Sequence, residues 1–177
     1  MLRAIILRKL ASVERRLGEP LDYVRHMLSA SLPATLAFFK VMGLGKVRRR
    51  LPRDAWHVAQ VVASRSEDCG PCVQIALNVA AQDGVPAGVL RAVVDERPDE
   101  LPGECALAYR FAEAVCARGA ELDALREQAR ARWGEAALVE LALAIAGARV
   151  FPVTKRALGY ATSCSLRAPR VPESARA

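Results

Sequence analysis

Helix-forming composition carried on helical spacing constrains this chain more than any other feature. Of its 177 residues 33 are alanine, against three threonines and four isoleucines. Alanine is the best helix former, and β-branched residues favour strands. No apolar–polar alternation of strand length is bounded by hairpin turns. Asp83-Gly84 is the one dipeptide of tight-turn type, and helical patterns flank it on both sides. The chain is therefore expected to be all-α, with seven or eight helices. A hydrophobic share of 53% with 25% charged residues suits a packed core, and the length suits one domain.

Residues 1–20 read as a basic amphipathic arm. Leu2, Ile5, Ile6, Leu10, Val13 and Leu17 recur at helical spacing, while Arg3, Arg8, Lys9, Arg15 and Arg16 largely take other positions. Gly18-Glu19-Pro20 breaks the pattern. The body is expected over residues 21–168 and a loose tail over 169–177. Helices are expected over Tyr23–Ser29, from Pro33 to Met42, from Pro52 to Arg65, from Cys69 to Gly84, and from Pro86 to Val94. Three more follow, over Glu104–Ala117, over Asp123–Arg132, and from Glu135 onward, with stops at glycine and starts near proline. Ser66 and Asp68 are candidate caps for the helix at Cys69, and capping is the preferred role for Asp68. Pro152 is expected to kink or divide the last helix, because it removes an internal hydrogen bond. The longest uncharged stretches, His26–Phe39 and Cys69–Gln82, have 14 residues each. A membrane span takes about 18 or more, so none is expected.

The net charge of +7 is unevenly placed. Residues 1–56 hold 12 Lys/Arg and 4 Asp/Glu, and the remainder holds 14 and 15. Arg48-Arg49-Arg50 lies beside Lys46 and Arg53. Such patches attract nucleic acid or anionic lipid, and otherwise serve as a solvated face. No aromatic residue interleaves the cluster, which argues against stacking on single strands, so no nucleic-acid partner is expected. Contact of the arm with a membrane surface stays open. The arm lacks the small-residue cleavage site of a secretory signal. An odd count of five cysteines with one tight pair is unlike an extracellular disulfide framework. The expected compartment is the reducing cytoplasm.

The sharpest chemical feature is Cys69-Gly70-Pro71-Cys72. Cysteines three apart at a helix start share one face, with β-carbons about 5–6 Å apart. The helix N-terminus stabilises a thiolate. A thiolate attacks peroxide or disulfide, and the second thiol resolves the product as an intramolecular disulfide. A closed zinc site needs four donors, and this is the one pair at ligand spacing, so neither metal nor cofactor is expected. An inert structural pair is the plain alternative. A thioredoxin-like domain would need a βαβ pattern nearby, whereas both flanks here are helical.

The segment Ala55–Ala80 resembles the carboxymuconolactone decarboxylase / alkylhydroperoxidase D-like family. Trp56-His57-Val58-Ala59-Gln60 leads into Glu67-Asp68-Cys69-Gly70-Pro71-Cys72-Val73-Gln74-Ile75-Ala76, and Leu138–Leu141 through Lys155–Gly159 is similar to the family's closing helix. The resemblance spans roughly residues 21–165. It implies an all-helical domain assembled as a homotrimer or higher oligomer, and a thiol-dependent peroxidase whose partners are a peroxide substrate and a dithiol or protein reductant. It implies Cys72 as the attacking thiolate and Cys69 as the resolving thiol. Helix-dipole and exposure arguments on the residues alone favour Cys69 instead.

Two positions depart from the family pattern. The relay histidine four after the second cysteine is Ala76, which cannot pass a proton. The acidic residue twelve before the first cysteine is His57, whose imidazole titrates near neutrality and can take a proton-transfer role; packing beside Trp56 is the alternative. Pro71 stands where some members carry another histidine. An incomplete relay keeps a second function open, a non-catalytic or redox-sensing helical oligomer. The family's lactone decarboxylation needs no cysteine pair, and nothing here marks a cyclic-acid site. Glu67 and Asp68 oppose a neighbouring thiolate by like charge. Gln74 and Asn78 share a face and can line a pocket or bond a subunit. Cys105 and Cys116, about 16 Å apart along one helix, read as core; Trp133 reads as a core anchor, His26 as a surface or packing residue, and Cys164 has no assigned role.

Overall fold

The computed structural model describes residues 2–41, 43–160 and 170–172. Among the described residues there are eight α-helices and no strand. They are α1 (Leu2–Leu17), α2 (Asp22–Ala30), α3 (Leu32–Val41), α4 (Arg53–Arg65), α5 (Gly70–Gln82), α6 (Ala87–Val94), α7 (Gly103–Ala117) and α8 (Leu122–Ala157), with 3-10 turns at Leu44–Lys46 and Pro98–Glu100. Pro52, Pro86 and Pro102 stand at the N-caps of α4, α6 and α7, with φ between −58° and −52°. Proline fixes the dihedral that launches the helix and gives up an N–H that would have no partner there.

Helix α4 is the centre of the fold. Ala55, Val58, Ala59, Val61, Val62 and Ala63 are all at most 1% exposed. Small side chains on several faces let α5, α7 and α8 close around one helix. The alanine content thus makes close helix packing as well as helix propensity. A second apolar cluster holds Leu10, Leu21, Tyr23, Val24 and Phe38, joined by Phe151 of α8. Phe38 meets Tyr23 and Phe151 edge-on, at 6.1 and 5.7 Å between ring centroids.

Helix α8 threads both clusters. Ala137, Leu138, Leu141, Ala144 and Ile145 belong to the main core. By length and composition α8 is apolar enough to cross a bilayer, although it carries charged residues that break up any long uncharged run. In this fold 44% of its most apolar window is buried inside the protein. Its helical run breaks at Gly134, where φ is 81° and ψ 168°. That matches the stop expected after Arg132. Of the two outcomes expected at Pro152, division does not occur: Pro152 is buried in the continuous run to Ala157. A φ near −65° is itself helical, and packing against two clusters offsets the one lost bond.

The arm is a helix docked by its second half. Leu10 is buried, with Val13 and Leu17 against the second cluster. Gln74, Asn78 and Gln82, one turn apart on α5, do the tethering. Asn78 Nδ2 donates to Leu17 O at 2.6 Å, Gln82 Nε2 to Arg16 O at 2.8 Å, and Gln74 exchanges bonds with the backbone of Arg170. These amides bind the chain's own ends, so the pocket and subunit roles expected for Gln74 and Asn78 give way to an internal one. Arg170 in the expected loose tail is held by Gln74; residues 173–177 lie outside the described residues.

Gly147 on α8 permits a close backbone approach to Gly45. A Cβ there would sit 2.8 Å from Gly45 Cα and N, and Gln60 Nε2 donates to Gly45 O at 2.9 Å. In an open helix Gly→Ala stabilises by about 1 kcal/mol. Here the backbone clash reverses the sign, and Gly147→Ala is expected to cost about 1–3 kcal/mol. Denaturant melts check this; a gain in stability contradicts the close contact.

Candidate functional site

The turn between α4 and α5 builds the site. Asp68 takes a left-handed φ of 50°, which Asp tolerates better than most residues. This reversal makes Cys69 the N-cap of α5, with no side-chain capping bond. Asp68 is therefore the hinge of the turn and not the cap. Ser66 is the C-cap of α4, its hydroxyl donating to Ala63 O at 2.9 Å.

Cys69 and Cys72 form a pair at disulfide distance, with their α-carbons 5.2 Å apart, inside the usual range for a bridge. One helical turn supplies that distance without rearrangement. Cys69 is 1% exposed and Cys72 7%. The exposure expectation is not met: both residues are buried, Cys72 is the slightly more exposed of the two, and Cys69 stands nearer the helix terminus. Pro71 has no N–H, which removes one donor from the first turn of α5.

Two residues before the pair, Glu67 is 5% exposed and doubly paired. Its carboxylate accepts from Arg149 Nε at 2.6 Å and Arg156 Nη1 at 3.1 Å. Arg156 also donates to the Glu67 carbonyl. The two arginines come from α8, 82 and 89 positions along the chain, and lie seven apart, on one helix face. They neutralise the Glu67 carboxylate and hold the turn, so the like-charge opposition expected from Glu67 is removed, while that of Asp68 stays. Neither arginine was legible as a site residue, because no local pattern links it to Glu67.

His57 is placed elsewhere. Its ring is 2% exposed, edge-on to Trp56 at 4.7 Å, and its Nε2 lies 2.9 Å from Asp83 Oδ2. Asp83 caps the far end of α5, eleven residues past Cys72 and about 16 Å along the helix. Arg48 approaches the same carboxylate at 3.6 Å and lies over the Trp56 ring. The fold thus brings the two cysteines together and commits His57 to Asp83. Ala76 packs against the main core.

Burial lowers the pKa of His57 below its ordinary 6.5, against the pull of Asp83; Asp83 is itself lowered by its bond to His57. A folded pKa below the unfolded one means that protons favour the unfolded chain. The stability from neutral His57 is full above about pH 6.5 and is lost as pH falls toward the folded value. The thermal midpoint is expected to drop between about pH 7 and 5, and His57→Gln to flatten that slope. Equal slopes in both proteins contradict the assignment.

Cys105 is buried, and burial pushes its thiol up to about 11; Cys116 is half-buried. His26 Nδ1 lies 3.0 Å from the Tyr160 hydroxyl, and Trp133 packs against the main core. Cys164 lies outside the described residues. Among the described residues, no group of three or more His, Cys, Asp or Glu gathers as a metal site.

No family model, curated protein or solved structure matches the chain.

Proposed function

We propose that the chain is a thiol-dependent peroxidase of alkylhydroperoxidase D type, cycling Cys69 and Cys72 between dithiol and disulfide. The observation that carries this is the pair itself, one turn apart at the start of α5 and already at bridging distance. The Cys72 thiolate attacks the terminal peroxide oxygen and the O–O bond breaks. The alkoxide leaves with a proton, and Cys72 becomes a sulfenic acid. The Cys69 thiolate then displaces hydroxide from that sulfur, which leaves as water and gives the disulfide. A dithiol or protein reductant returns both thiols and is itself oxidised. Arg149 and Arg156 favour the thiolate by cancelling the Glu67 charge. A homotrimer or higher oligomer in a reducing cytoplasm belongs to the same proposal.

The second function, a redox-sensing helical oligomer without turnover, is favoured by the burial of both sulfurs and by the commitment of His57 to Asp83. Peroxide consumption by the full chain with excess dithiol separates the two. Sustained turnover above that of the Cys69→Ser/Cys72→Ser protein supports the peroxidase. One equivalent consumed and then none supports the sensor.

A further inference from the structure

We infer that the basic N-terminal region is a docking face for an anionic lipid surface. Two basic stretches far apart in sequence are held at one end of α5 by consecutive residues. Gln82 bonds the backbone of Arg16 at 2.8 Å, and Asp83 lies 3.6 Å from Arg48. The end of α1 and the loop before α4 therefore meet there.

Most of their cations are exposed and meet no carboxylate. On α1, Arg3, Arg8, Lys9, Arg15 and Arg16 are exposed, and none meets a carboxylate among the described residues. In the loop the same holds for Lys46 and Arg49, while Arg48 pairs with Asp83 and Arg50 lies in the field of Glu140. In the body, by contrast, Arg97, Arg110, Arg126, Arg130 and Arg132 each pair with an acidic side chain. Arg91 and Arg118 are the body's unpaired exceptions, but they stand singly, whereas the two N-terminal stretches cluster their unpaired charge, which fits an anionic partner.

The same two stretches expose large apolar side chains. Ile5 is 51% exposed and Leu7 40% on α1, and Leu44 and Val47 are each 43% exposed in the loop. A phosphate backbone has no use for such side chains. A bilayer surface takes both at once, apolar groups into the acyl boundary and cations against anionic headgroups. The lipid surface is favoured over nucleic acid for that reason.

The test is co-sedimentation of the full chain with phosphatidylcholine vesicles, with and without phosphatidylserine. Binding is expected only with phosphatidylserine and is expected to weaken with salt. Each cation removed is expected to lower partitioning about fivefold, so Arg8→Gln/Lys9→Gln loses about 25-fold. Ile5→Ser/Leu7→Ser is expected to lose about tenfold or more. Lys46→Gln/Arg49→Gln repeats the charge test away from α1, with unchanged thermal melts as the folding control. No partitioning, equal partitioning into neutral vesicles, or binding to duplex DNA or RNA that survives Ile5→Ser/Leu7→Ser overturns the inference.

Discussion

Replacing Cys72 by serine is expected to abolish peroxide consumption, while replacing Cys69 leaves a single turnover in the absence of added thiol. The two sulfurs share a helix turn but not an environment. Cys72 is the more exposed, at 7% against 1%, and sits inside the first turn of α5. Cys69 lies deeper, placed to resolve. A serine at 72 removes the proposed attacking thiolate, and turnover is expected to fall to the background of free dithiol, a loss of about 10³-fold or more. A serine at 69 leaves the attack intact but strands the product as a sulfenic acid, which a dimedone adduct at Cys72 records. The mirror outcome, an adduct at Cys69 in Cys72→Ser and none at Cys72, would reverse the assigned order.

Glu140→Ala is expected to be strongly destabilising, at about 3 kcal/mol. The Glu140 carboxylate is 6% exposed on α8 and accepts the backbone N–H of Leu51 at 2.9 Å and of Arg50 at 3.0 Å. Burial pushes its pKa up, but the N–H groups of Leu51, Arg50 and Arg49 together hold it below the ordinary carboxylate value. This one side chain fastens the basic loop to the core just before α4. Alanine strands buried donors, each worth about 1–3 kcal/mol. The thermal midpoint is expected to fall by about 6–12 °C, and Glu140→Gln, which keeps an acceptor, by about half as much. Equal effects from both would place the loss in packing and not in the bonds.

Local chemistry was readable from the sequence, and long-range chemistry was not. Prolines at 52, 86 and 102 announce helix starts because φ is fixed within one residue. Cys69 and Cys72 announce a pair because one helical turn fixes their distance. Glu140 with Leu51, and Glu67 with Arg149 and Arg156, join positions more than 80 apart. Such pairings depend on how helices pack, which no spacing rule encodes. His57 shows a middle case. Its position before the cysteines suggested a proton-transfer role, yet the tertiary structure supplies Asp83 as a nearer partner. Asp68 shows a residue suited to two jobs, cap and left-handed turn, with the turn prevailing because the chain must reverse between α4 and α5.

The central claim is that Cys69 and Cys72 exchange electrons with peroxide reversibly. Disulfide mapping by mass spectrometry, on fully reduced protein given one equivalent of peroxide and then dithiol, tests it most directly. The account predicts a Cys69–Cys72 linkage after peroxide and both free thiols after dithiol, with Cys105 unmodified throughout. Oxidation appearing at other cysteines while Cys69 and Cys72 stay as thiols would contradict it.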